Sequence, residues 1–153
     1  MDQILLLFIL IRKRNEMSSL TAIAQSASLK LPPRPPEGVP VNMNRLQDLA
    51  NDDPVQLREL VGMYIKESTD VMRDLKISLQ TADWEQSERL AHRLGGTSAV
   101  CGILGIVRPL RELEMTAKAG HRSFNEMLFR EASRQHTRIT AYLEGLGLTE
   151  VAQ

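Results

Sequence analysis

Apolar side chains at three- and four-residue spacing run through most of this 153-residue chain. The longest run joins Leu57 to Leu79 and predicts an amphipathic helix of about 25 residues. Asp53 and Pro54 stand before it and supply an N-cap residue followed by a first-turn proline. No strand-like alternation of apolar and polar residues exceeds four residues. The pattern therefore restricts the chain to an all-α fold.

The remaining spacing predicts a short helix around 44–50 and three more long helices. One long helix should begin near Asp83, one should lie between Gly102 and Gly120, and the last should open on a capping box at 123–126 with Phe124 turned inward. Pro109 should kink its helix or delay its start, because proline has no N–H to donate. Short connections between four long helices predict an antiparallel four-helix bundle with a short additional N-terminal helix.

Two segments precede the predicted helical domain, which spans residues 41–148. Residues 1–16 join an unbroken apolar run at 4–11 to a basic triplet at 12–14. Three explanations stay open: a membrane-surface anchor made by residues 4–14, the tail of a spanning helix in a longer gene, or an artefact of start-site choice with Met17 as initiator. The second and third explanations, a remnant of a spanning helix and an artefact of start-site choice, are slightly favoured over the anchor. Residues 17–40 form a Ser/Pro-rich linker whose prolines favour extended geometry.

Composition excludes several classes of function. Nineteen basic and nineteen acidic residues cancel, so nothing indicates a nucleic-acid partner. The single cysteine, Cys101, excludes an internal disulfide, fits a cytoplasmic compartment and should be a small buried filler. Three histidines and one cysteine without ligand-like spacing predict no metal site, and phosphate-binding loops are missing. We therefore predict no cofactor and no enzymatic activity, and we expect His121 in a loop and His136 at a solvated helix position.

The most informative stretch is 91–102, AHRLGGTSAVCG. With about 100° per residue, Leu90 and Leu94 fall on the core side of a helix and His92 falls roughly opposite. Two adjacent glycines within a helix cost about 1 kcal/mol each relative to alanine, which suggests a compensating need such as the close approach of another molecule. The plain alternatives are a surface histidine without function and a glycine pair that ends the helix.

The run from residue 91 to residue 114 resembles the signature of histidine phosphotransfer (HPt) domains. In that family a phosphorylated His is followed by Leu two later, a basic residue three later, Gly four later, small residues, Gly ten later and a Leu-Glu pair about twenty later. The positions that match in register are His92, Leu94, Gly96, Ser98, Gly102, Leu113 and Glu114. Gly95 departs from the pattern at the basic position, and Pro109 departs where the family has an apolar, helix-compatible residue.

The resemblance implies a helical-bundle phosphocarrier in a two-component phosphorelay. His92 would accept a phosphoryl group from a receiver-domain aspartate and pass it to another receiver, while the receiver supplies the aspartate and a magnesium ion. The chain itself is expected to be a cytoplasmic monomer, tethered at the inner face of the membrane if residues 4–14 form an anchor. The alternative is an interaction module that keeps the HPt fold and has lost phosphotransfer.

Five residues around His92 are predicted to bind phosphate or the partner. Arg89 and Arg93 flank it and either contact phosphate oxygens or remain solvated, two outcomes that the sequence leaves equal. Gly95, Gly96 and Ala99 would form a flat patch against which the receiver packs. A lysine in place of Gly95 would be expected to favour the phosphorylated form, because its ammonium would lie near the incoming group.

Deleting residues 1–38 should leave helicity per residue and cooperative unfolding intact, because the predicted core begins at about residue 41. Circular dichroism during urea unfolding of the full chain and the truncated chain measures both properties. Loss of cooperative unfolding in the truncated chain would mean that residues 4–11 pack into the bundle, and the remnant explanation would then be wrong.

Overall fold

Five α-helices lie along residues 38–149, the part of the chain that the structure, a computed structural model, describes. They are α1 (Met43–Leu49), α2 (Pro54–Gln80), α3 (Trp84–Cys101), α4 (Val107–Thr116) and α5 (Arg122–Gly145), with 3-10 turns at Leu104–Ile106 and Ala117–Ala119. These residues contain no strand, which confirms the all-α prediction. The predictions for residues 1–37, including the apolar run and most of the linker, fall outside the described residues.

Local signals placed most helix ends correctly. The Asp53 side chain accepts hydrogen bonds from the N–H groups of Val55 and Gln56, and Pro54 is the first residue of α2. Asp83 caps α3 by accepting from the Gln86 N–H. Pro109 is the third residue of α4, within the first turn, where a missing N–H removes no intrahelical bond, and the helix begins at Val107 and not directly after Gly102.

The start of α5 differs from the prediction. The helix begins at Arg122 with His121 as N-cap, so Ser123 already lies inside it and the capping box at 123–126 is wrong. Phe124, expected inward, is 42% exposed, whereas Asn125 is buried. The reason is that the Asn125 side chain pairs with the Thr116 hydroxyl and donates to the Ala117 carbonyl, which turns this polar residue inward.

His136 is also less solvated than predicted. Its Nε2 lies 2.9 Å from the Ser68 hydroxyl of α2, and the residue is half-buried between the helices. Burial lowers the pKa of His136, because the charged imidazolium loses hydration there. This histidine therefore joins α2 to α5.

Contacts between side chains show that neighbouring helices run antiparallel. The Tyr64 hydroxyl meets Ser98 and the Ser78 hydroxyl meets Ser87, each at 2.8 Å, so the first half of α2 lies beside the end of α3. The helices α2 and α5 are also antiparallel, because Arg122 at the start of α5 donates to the carbonyl of Gln80 at the end of α2. The predicted antiparallel bundle with a leading short helix is therefore confirmed.

Leucine is the commonest residue in the core between these helices. Its fully buried members include Leu60, Leu75, Leu94, Leu110, Leu113, Ile139 and Leu143. Cys101 is buried as expected, and burial raises the pKa of its thiol to about 12. No helix among residues 38–149 is both long and apolar enough to span a lipid bilayer.

The short helix α1 is seated on the turn that follows α3. The Asn42 N–H donates to the Gly102 carbonyl at 2.7 Å, and Arg45 Nε donates to the Val100 carbonyl at 3.1 Å. Gly102 has φ +73°, and a Cβ added there would lie 2.8 Å from the Arg45 Cβ. Glycine is therefore required at this position for two reasons: the backbone is left-handed, and α1 approaches closely.

Gly102→Ala should lower the free energy of unfolding by about 1–3 kcal/mol, because it adds backbone strain and a clash with Arg45. Gly62→Ala is the matched control: Gly62 lies inside α2, and a Cβ added there would have no neighbouring atom within 4 Å. That change should stabilise the protein by about 0.5–1 kcal/mol. Urea unfolding followed by circular dichroism compares the two, and equal effects would contradict this account of Gly102.

Candidate functional site

His92 lies halfway along α3 with its side chain 61% exposed. The helix continues through Gly95 and Gly96 to Cys101, so the alternative in which the glycine pair ends the helix is wrong. The core-facing neighbours Leu90 and Leu94 are buried, as their spacing predicted. The imidazole is therefore presented on a regular, well-packed helix and is open to solvent.

Glu114 of α4 holds the imidazole from the facing helix. Its Oε1 lies 2.6 Å from His92 Nδ1, and its side chain is 24% exposed. Burial raises the pKa of Glu114, but hydrogen bonds from Arg111 and His92, together with their charges, outweigh burial and keep that pKa below its ordinary value of 4.5. An ionised carboxylate can only accept, so Nδ1 carries a proton, and in the neutral form of the ring the lone pair is then on Nε2.

Arg111 completes a charged cluster around His92. Its Nη1 donates to Glu114 Oε2 at 2.8 Å and lies 3.5 Å from His92 Nδ1. The residue is only 8% exposed. Its buried Nε has no hydrogen-bond partner among the described residues. We call His92, Glu114 and Arg111 the charged triad.

The missing side chain at Gly95 makes room for this arginine. A Cβ at Gly95 would lie 3.5 Å from the Leu110 Cβ and 3.6 Å from Arg111 Nε. At Gly96 the nearest atom would be Arg111 Nη2, at 3.7 Å. Gly95 is buried under α4, and the small-residue surface open to solvent begins at the half-buried Gly96 and Ala99. At Gly95, a side chain longer than a methyl group would therefore meet α4 of the same chain.

The two arginines that flank His92 have other partners in this structure. Arg89 bonds Glu85 and Gln86 on its own helix. Arg93 Nη2 pairs with Glu67 Oε1 of α2 at 3.1 Å. Their contacts with a phosphoryl group therefore stay predictions.

Sequence reasoning gave Glu114 no role and missed Arg111. Glu114 belongs to the Leu-Glu pair of the motif, but only the antiparallel register of α3 and α4 brings it opposite His92. Arg111 precedes Glu114 by three residues and so shares its helix face, a spacing that was available in the sequence. In the 3-10 turn that follows α4, Lys118 Nζ lies 2.7 Å from Oε2 of Glu88, which precedes His92 by one turn of α3. That hydrogen bond raises the pKa of Lys118.

The other chemistry-bearing features lie away from this cluster. A groove of about 730 Å³ between residues 38–40, the start of α4 and α5 is lined by Arg108, Pro109 and Gln135 but not by His92. Residues 38–149 contain no group of three or more His, Cys, Asp or Glu side chains placed to hold a metal ion. Transfer of a group between two proteins needs an exposed ring and not a cavity, so the exposed face of α3 is the candidate site.

Comparison with known protein families gives a match. A family model described as the Hpt domain matches residues 59–147, more than half of the chain. The matched region runs from α2 to the end of α5 and includes the whole charged triad. No significant match was found among curated proteins or among solved structures.

Glu114→Gln should destabilise the protein in a pH-dependent way. Because the Glu114 pKa is depressed, its stabilising contribution is present above pH 4.5 and is lost as the pH falls through the lower folded-state pKa. The variant should therefore be less stable by about 1–2 kcal/mol at pH 7, where it leaves Arg111 buried and unpaired. This deficit should shrink towards zero below pH 4.5.

Urea unfolding of the wild type and the variant between pH 7 and pH 3 measures this deficit. Glu112→Gln is the matched control, because it breaks the more exposed Arg108–Glu112 pair on the same helix. The control should cost about 0.5 kcal/mol or less. A deficit for Glu114→Gln that stays constant over the pH range would contradict the ionised, hydrogen-bonded carboxylate.

Proposed function

The chain belongs to the Hpt domain family, and we propose that it is a phosphorelay intermediate that carries a phosphoryl group on His92. Hpt domains are the histidine phosphotransfer modules of phosphorelays, phosphocarriers rather than enzymes, and they interact with receiver domains of response regulators. In this proposal the group arrives from the aspartate of one receiver and leaves to the aspartate of another. The observation that carries the proposal is the 2.6 Å contact that holds an exposed imidazole by its Nδ1.

Glu114 selects which ring nitrogen reacts. With the proton on Nδ1 and donated to Glu114, the lone pair of Nε2 is free to attack the phosphorus of an aspartyl phosphate. The N–P bond forms as the P–O bond breaks, and the electron pair of that bond returns to the aspartate carboxylate. The Nδ1 proton stays in place throughout, so no separate base is needed.

The same carboxylate favours a reversible transfer. A ring that carries phosphorus on Nε2 and a proton on Nδ1 is positively charged, and Glu114 Oε1 lies 2.6 Å from that proton-bearing nitrogen. In the return step the electron pair of the N–P bond goes back to Nε2, and a neutral imidazole leaves. The ion pair therefore stabilises phosphorylated His92 and still allows the phosphoryl group to leave.

The surface beyond His92 suits the approach of another protein. Gly96 and Ala99 lie on the same side of α3, one and two turns past the imidazole, and carry almost no side chain. The ion pair of Arg89 with Glu85 is exposed on both sides, and such pairs contribute little to stability. Arg89 can therefore turn towards a phosphoryl group at low cost. Arg93 is the second cation proposed for this contact.

Purified protein incubated with phosphorylated receiver domains from its own organism should gain an acid-labile, base-stable phosphate on His92. His92→Gln should gain none. His121→Gln is the matched control, because His121 is exposed and makes no side-chain cap bond, and it should be labelled like the wild type. Label that persists in His92→Gln, or that sits on Thr97 or Ser98, would refute the assignment. A wild-type protein that no receiver labels would favour the interaction module that has lost transfer.

A further inference from the structure

Arg111 is the one charged residue among those described that is more than nine-tenths buried. Burying a guanidinium costs free energy unless its donors are paired, and here only Nη1 has a hydrogen bond, to Glu114. The buried Nε has no partner among the described residues. An apolar side chain of similar length would fill the same space without that cost, so fold stability gives no reason for an arginine.

The Arg111 side chain packs against α3, the helix that carries His92. Its Nε and Cδ lie 3.6 Å and 3.7 Å from the position that a Cβ at Gly95 would take. A methyl group would just fit there, whereas a longer side chain would occupy the space of the guanidinium. The glycine at 95 and the arginine at 111 are therefore geometrically linked across the α3–α4 interface.

We propose that Arg111 is the positioning residue of the His92 site: from α4 it holds Glu114 in the orientation that fixes the imidazole, and it leaves no room at position 95 for a side chain longer than a methyl group. This inference rests on the proposed function. It accounts for the absence of a basic residue at 95, because the positive charge of this site comes from the facing helix.

The two oxygens of the Glu114 carboxylate accept hydrogen bonds from two different donors. Oε2 accepts from Arg111 Nη1 and Oε1 accepts from His92 Nδ1, so the carboxylate cannot rotate without breaking a charged hydrogen bond. The hydrogen bond from the guanidinium also lowers the pKa of Glu114. Without Arg111, Glu114 can turn to solvent and the imidazole relaxes to a mixture of tautomers.

The linkage between positions 95 and 111 makes the effect of a lysine depend on its background. In the wild type, a lysine at 95 meets the Arg111 guanidinium in the same space and disturbs the pair with Glu114. Once Arg111 is replaced by methionine, the lysine can enter the vacated space and bring an ammonium to Glu114. The expectation that a lysine at 95 assists phosphorylation should therefore hold only in the absence of Arg111.

The test uses the full chain and four variants: Arg111→Met, Gly95→Lys, both changes together, and Arg108→Met. Arg108→Met is the matched control, because Arg108 also lies on α4 and pairs with a glutamate, Glu112, but is exposed. Three measurements are made at about pH 7.5, well above the ordinary pKa of histidine: the ¹⁵N chemical shifts of the His92 ring nitrogens, the rate of transfer from a phosphorylated receiver at several receiver concentrations, and the urea midpoint.

Arg111→Met should keep the urea midpoint close to that of the wild type, because the glutamate left behind is partly exposed and can be hydrated. It should lose the single Nδ1–H tautomer and lower the maximal transfer rate by on the order of tenfold, with little change in the receiver concentration at half-maximal rate. Gly95→Lys should lower the rate in the wild type and raise it in the Arg111→Met background. Arg108→Met should change none of these measurements.

The proposal is overturned if Arg111→Met leaves the tautomer and the rate unchanged. It is also overturned if Gly95→Lys acts in the same direction in both backgrounds, or if every loss of rate is matched by loss of the folded state. Failure of the proposed function is distinguishable: a wild type that takes no phosphate refutes the carrier role, while the ring nitrogen shifts still report whether Arg111 positions Glu114 and His92.

Discussion

The close antiparallel packing of α3 on α4 is the constraint on which the site depends. Gly95 brings the two helices together by letting Leu110 and Arg111 lie directly on the α3 backbone. At that separation, Glu114 contacts His92, which lies one turn before Gly95 on α3. Lys118 contacts Glu88, which lies one turn before His92 on the same helix. A side chain longer than a methyl group at 95 would meet Leu110 and Arg111 and so disturb these contacts.

The ends of α3 are fixed by a different device. Asp83 caps its start, and the left-handed Gly102 ends it where α1 docks through Asn42 and Arg45. Interhelical hydroxyl pairs such as Tyr64–Ser98 add directional bonds to an otherwise apolar contact with α2. His92 thus stands on a helix that is held at both ends and along its inner face, which suits a residue proposed to meet other proteins without rearrangement.

Local sequence patterns were sufficient for most of the fold. Apolar spacing gave the long helices, Asp53-Pro54 and Asp83 gave two helix starts, and Gly120 gave a helix end, because caps and periodicity act within a few residues. The start of α5 was misjudged because Asn125 is turned inward by Thr116 and the Ala117 carbonyl, which lie before it in the preceding turn. The half-burial of His136 likewise depends on Ser68 of a distant helix.

For the candidate site, the sequence determined the exposed face of α3 and placed His92 on it, since helical periodicity alone decides which residues oppose the core. Only the tertiary structure decided what stands beside the imidazole. Glu114 and Arg111 are 22 and 19 residues away along the chain, and they meet His92 because α3 and α4 pair in one register. That register depends on the packing of side chains between two helices, which no local pattern encodes.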